Sequence, residues 1–135
     1  KRPKRKVREQ HKKQMAWYRL AAEAGDTDSM NALSMAYHLG YPESRDDEQA
    51  FVWASRAADL GDGSAMYQAA YLYENGFGTD RDIAAALLLY TEAAEQGVRS
   101  AMIRLYEIYT KGLGTIQPDG QKAAHYFWMS GEGRD

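Results

Sequence analysis

The chain has 135 residues, with 17 Lys+Arg, 19 Asp+Glu and a formal net charge of −2, a length that suits one domain with a real core but not two. Alanine occurs 21 times, valine and isoleucine together only seven times, and cysteine not at all; this favours an all-α fold over a sheet and excludes disulfides and thiolate metal sites. The longest apolar run, Ile83 to Tyr90, is eight residues, too short to span a bilayer.

Residues 1–13 read as a basic leader. Lys1, Arg2, Lys4, Arg5, Lys6, Arg8, Lys12 and Lys13 stand against Glu9, which sums to +7, so the rest of the chain holds 9 basic and 18 acidic side chains, or −9. An acidic body repels phosphate, so nucleic acid is not the expected partner. The leader itself is expected to be solvated or to begin the first helix. It is also the kind of cluster that would follow a membrane anchor upstream of Lys1.

Residues 14–135 form the second segment, and they repeat. Ala21-Ala22-Glu23-Ala24-Gly25 recurs as Ala57-Ala58-Asp59-Leu60-Gly61 and as Ala93-Ala94-Glu95-Gln96-Gly97, each time 36 residues on. The same period links Met30, Met66 and Met102; Tyr37, Tyr73 and Tyr109; Gly40, Gly76 and Gly112; and Trp17, Trp53 and Leu89. Within a period, Met66, Ala69, Ala70 and Tyr73 fall at i, i+3, i+4 and i+7, the mark of an amphipathic helix. Asp62 is placed to cap its start and Gly76 to end it. A second, longer helix follows in each period. In chain order the pattern predicts helices over 8–24, 27–39, 47–60, 63–75, 82–96, 99–111 and 119–129. We call 27–39, 63–75 and 99–111 the A type and the others the B type. The alanine pairs let neighbouring helices approach closely, while the tyrosine and Trp/Leu columns fill the gaps between layers. A helix pair with a broad apolar stripe buries it by stacking on the next pair. The expected fold is therefore all-α, an α-solenoid of about three and a half 36-residue helix hairpins.

The run from Ala65 through Tyr73, Gly76, Gly78, Asp82, Ala86, Leu89, Tyr90 and Ala93-Ala94 to Gly97 resembles the Sel1-like repeat family, a relative of the tetratricopeptide solenoids. The resemblance covers residues 14–131. It departs from the family pattern at Pro42, where the second glycine of the first loop is lost, and around Pro118, where a residue is inserted. It departs again at Tyr106, which replaces a small residue, and at Ser130-Gly131, which replaces the last alanine pair. The resemblance implies a non-enzymatic module that binds another protein or a peptide segment through a concave face lined by the A helices. Carried over position by position, the partner-binding residues are Asn31, Met35 and His38 in the first unit, Tyr67, Tyr71 and Glu74 in the second, and Ile103, Glu107 and Lys111 in the third. It also implies a bacterial adaptor, with an immunity protein that neutralises a secreted toxin, or an envelope scaffold, as alternatives, and a soluble domain of periplasm or cytoplasm.

Enzyme chemistry finds little support, so a hydrolase is the weakest alternative. His11, His38 and His125 sit in separate units, with no second histidine or carboxylate at ligand spacing, and no Ser-x-x-Lys occurs. No catalytic residue, metal or cofactor is expected. His125-Tyr126-Phe127-Trp128-Met129 is strongly apolar with no A helix after it, so its apolar face is expected to pack back on Tyr106 and Tyr109, and the surface left over at Phe127 and Trp128 to support self-association or receive a partner.

Overall fold

Aspartate opens most of the helices. A computed structural model describes residues 4–133. Among them the chain forms α1 (Arg5–Glu23), α2 (Thr27–Leu39), α3 (Asp47–Asp59), α4 (Gly63–Asn75), α5 (Ile83–Glu95), α6 (Arg99–Lys111) and α7 (Gly120–Met129). The carboxylates of Asp26, Asp46, Asp62, Asp82 and Asp119 each accept a first-turn backbone N–H, so α2, α3, α4, α5 and α7 start on a side-chain cap. Helix α6 starts on Val98 without one. The A helices α2 and α4 end on Gly40 and Gly76, at φ 77° and 69°, a left-handed conformation that glycine adopts without steric cost.

The turn from a B helix into an A helix is built the same way three times. The N–H groups of Asp26, Asp62 and Val98 donate to the carbonyls of Ala21, Ala57 and Ala93 at 3.0, 3.1 and 3.0 Å. The residue that closes one helix thus opens the next, and the first alanine of each pair anchors the turn. The second alanines, Ala22, Ala58 and Ala94, are all buried.

Each helix packs on its neighbours in the chain, and α2 also touches α4, so the A helices form one layer and the B helices the other. The core runs through the stack as a row: Met30, Leu33 and Tyr37; Ala50, Trp53 and Ala57; Met66, Ala69 and Leu72; Ala86, Tyr90 and Ala93; Met102, Leu105 and Tyr109. At the C-terminal end the ring of Tyr106 lies 5.2 Å from that of Phe127, and Tyr109 stacks on Tyr126 at 6.0 Å. The substitution of a small residue by Tyr106 is met by turning the ring onto α7.

Two features differ from the sequence pattern. Helix α1 begins at Arg5 rather than residue 8, because its first turns have a surface to lie on. Arg8 Nε donates to the Pro42 carbonyl at 3.3 Å, and His11 Nδ1 lies 2.6 Å from the Tyr41 hydroxyl. Trp17 shares a column with the buried Trp53 but is 72% exposed. The face of α1 that carries it meets no helix among the described residues. None of the helices among those residues is long and apolar enough to cross a membrane.

Candidate partner-binding face

The A helices bury one stripe and leave the next open. On α2, Met30, Leu33, Ser34 and Tyr37 are buried, while Met35 and Leu39 are 43% and 70% exposed. Asn31 is half-buried, and its Nδ2 donates to Asp62 Oδ2 at 2.7 Å. That oxygen also accepts from Ala65 N at 2.9 Å, so one carboxylate caps α4 and ties it to α2.

His38 ends the α2 stripe in a polar and aromatic cluster. Its Nδ1 is 2.9 Å from Asp47 Oδ1, and Arg45 donates through Nε and Nη2 to Asp47 Oδ2 at 3.0 and 2.8 Å. Partial burial pushes the Asp47 carboxyl up, but the bonds from Arg45 and His38 hold it below the usual carboxylate range. The His38 ring meets Tyr71 edge-on at 5.6 Å and Phe77 at 5.4 Å, with the Arg45 guanidinium 5.1 Å over Phe77. The expected site residues His38 and Tyr71 are thus in contact.

The second cluster joins α4 to α6. Glu74 Oε1 accepts from the Tyr90 hydroxyl at 2.8 Å and from Arg104 Nε at 3.0 Å, and Arg104 Nη2 pairs with Glu74 Oε2. Arg104 Nη1 reaches Glu107 Oε1 at 3.1 Å. Burial pushes the Glu74 carboxyl up, yet Arg104 and Tyr90 hold it below its ordinary value. Burial and the same carboxylate drive the Tyr90 phenol far above its ordinary range. Tyr67 lies 5.6 Å from the Tyr90 ring, and burial raises its phenol too. Glu74 and Glu107 are therefore bridged by one guanidinium, with Tyr67 alongside.

Ile103 is half-buried on α6, and Glu107 and Lys111 are exposed further along it. The structure ties Asn31 to the α4 cap, joins His38 with Tyr71, and joins Glu74 with Glu107. Arg45, Asp47, Phe77, Tyr90 and Arg104 complete the clusters, and the sequence pattern alone did not single them out as partners. One signal was present for Arg104. It follows Glu74 by 30 residues, one period less six, which places the two on adjacent A helices with opposite charges. The ionised groups of these clusters are paired with one another or exposed to solvent, and the face presents aromatic and charged side chains together.

Among the described residues, no group of three or more histidine, aspartate or glutamate side chains converges as a metal ion would need. The Sel1 repeat matches the chain over residues 15–26, 27–62, 63–98 and 99–130. Among solved structures, the chain is similar to a protective antigen present in uropathogenic Escherichia coli strains and displaying an SLR fold. That similarity has 28% identity and a TM-score of 0.83, over 90% of this chain and 26% of that one. It is also similar in fold to a Sel1 repeat protein from Oxalobacter formigenes, with 24% identity and a TM-score of 0.72, over 79% of this chain and 42% of that one. The chain spans about a quarter of the first protein's length and less than half of the second's. No curated protein matches it at significance. Four matches in register, on seven helices whose turns repeat every 36 residues, place the chain in the Sel1 repeat family.

Proposed function

We propose that the chain binds a partner protein through the open stripe of α2, α4 and α6, as an adaptor of a bacterial assembly. Sel1 repeats generally bind proteins, and the two similar solved proteins come from bacteria. The observation that carries the reading is a contrast within the same helices. The columns of Met30, Met66 and Met102 recur and are buried, whereas Met35, Tyr71 and Glu107 share one column, differ in every unit and stay partly or wholly open. A scaffold that keeps one buried column constant while an open column changes from unit to unit suits recognition of a partner. The open stripe offers Met35, Leu39, Tyr67 and Tyr71 as apolar contacts beside the carboxylate of Glu107. That combination suits a basic segment with apolar or aromatic anchors.

Affinity capture from the native host tests this, comparing the wild-type chain with a Met35→Glu, Leu39→Glu variant. Both side chains are largely exposed, so the variant is expected to melt as the wild type does and to lose the captured protein. Identical captures by the two would remove this face from the function. Tyr71→Ala is a poorer probe, because Tyr71 also supports His38 and Phe77.

A further inference from the structure

The repeat provides an internal standard for what a B helix buries. In α3 and α5, the columns of Ala50 and Ala86, Trp53 and Leu89, and Ala57 and Ala93 face the preceding A helix. Ser34 Oγ of α2 donates to the Ala50 carbonyl at 2.7 Å, and Leu89 shares a cleft with Ala69 and Tyr73 of α4. In α3 these positions are 0%, 5% and 0% exposed. Thirty-six residues earlier, α1 presents Gln14, Trp17 and Ala21, with Trp17 72% exposed and Leu20 beside it at 60%. The face that α3, α5 and α7 each turn onto the preceding A helix meets no helix in α1 among the described residues.

Toward its N-terminal end the same face turns basic. Lys6 and Lys13 precede Trp17 by eleven and four residues, which at 3.6 residues per turn puts all three on one side, and both lysines are exposed. These turns are held in place: the Arg8 guanidinium lies 5.3 Å over the Tyr41 ring, in addition to its bond to Pro42 and the His11 contact. A long, ordered helix thus carries an apolar half around Trp17 and Leu20 and a cationic half around Lys6 and Lys13.

We propose that the outer face of α1 docks one amphipathic helix of a partner protein, seated as α2 is on α3 and α4 on α5, with apolar side chains over Trp17 and Leu20 and carboxylates over Lys6 and Lys13. Continuity with the internal interface defines the shape of the occupant, and charge complementarity defines its sign. A second copy fits less well. Its A helices are each already enclosed between two B helices, and pairing α1 with α1 sets the basic half of one helix against either the basic or the apolar half of the other, so neither arrangement matches like with complement. The site is separate from the open stripe of the A helices, so either reading can fail without the other.

The test titrates the isotope-labelled full chain with a lactam-locked helical peptide of sequence Asp62–Gly76, the helix that covers the same face of α5. The expected result is a shift of the Trp17 indole N–H and of the amides near Gln14 and Ala21. Trp17→Glu should weaken binding by about tenfold or more. Lys6→Glu with Lys13→Glu should weaken it and flatten its dependence on salt, while Leu39→Glu leaves it unchanged. Thermal melts of the variants verify that the fold is retained, as exposed positions allow. Parallel arms use vesicles of equal parts phosphatidylserine and phosphatidylcholine, and sedimentation equilibrium of the chain alone. The proposal is overturned by a helical peptide that leaves Trp17 unshifted. It is equally overturned if Trp17 serves vesicles or a dimer and not the peptide.

Discussion

The second position of each A-to-B loop is held by Pro42, Gly78 and Gly114, one per unit, and these three residues meet different surroundings. Gly78 sits at φ 74°, and a Cβ there would overlap the Asp47 carbonyl oxygen at the start of α3. Gly114 sits at φ 57°, but its nearest neighbour would be Ile83 Cγ1 at an ordinary 3.5 Å. Both conformations cost a non-glycine residue about 1 kcal/mol, whereas only Gly78 adds a backbone collision, worth roughly a further 1–3 kcal/mol. Gly78→Ala should therefore lower the urea midpoint two to four times as far as Gly114→Ala. Equal shifts would mean that the α4–α5 loop moves off α3 at little cost. A glycine in a loop pattern announces a turn; how closely another backbone approaches it depends on a segment some 30 residues away, which no local pattern carries.

The B-to-A turn is a two-part device. Its backbone half, the bond to the first alanine of each pair, is present in all three units. Its side-chain half is present only where aspartate follows the glycine, at Asp26 and Asp62, and is missing at Val98. Val98 is also half-buried, packed on the core, so a charged cap there would lose apolar contact. Val98→Thr keeps the branched shape and brings a hydroxyl within reach of the first-turn N–H groups of α6. It should stabilise the chain by about 0.5–1 kcal/mol, read as a rise in melting temperature, while Val98→Ala should lower it. A fall with threonine as well would show that packing at this turn outweighs capping. This device also explains what was legible. The A helices occupy the predicted spans 27–39, 63–75 and 99–111 without change, because a cap, a 3.6-residue apolar period and a glycine stop are all written locally. Helix α1 starts three residues before the span the pattern predicts, because its support, Tyr41 and Pro42, comes from the loop after α2.

At the scale of the whole stack, each helix touches chiefly its neighbours, so stability passes from unit to unit through few links. The Glu74–Arg104 pair is one of them, joining α4 to α6 across the helix between them in sequence, and it lies in the candidate face itself. The sequence marks Glu74 as a residue free to meet a partner; the structure shows that much of its bonding capacity is already used. In the proposed binding face, the groups left open are the rim of the cluster, half-buried Tyr67 and exposed Glu107, rather than its paired centre. The pair also sets a pH dependence. Glu74 is held below its ordinary value of 4.5 and Asp47 below 3.8 in the folded chain. A carboxylate with a depressed folded value adds stability that is complete above its unfolded value and is lost as pH falls through the folded one. The wild-type melting temperature should accordingly be flat near neutrality and drop below about pH 4.5. Glu74→Gln removes the charge and keeps the shape. It should cost about 1 kcal/mol at pH 7, and its melting curve should approach that of the wild type as the acid limit is reached. Hydrogen exchange locates the loss. If Glu74 links the units, the variant should lose protection in α6 and α7 while α1 and α2 keep theirs. Uniform loss along the chain would instead show that the seven helices unfold as one unit, with the pair contributing to the total and not to the coupling.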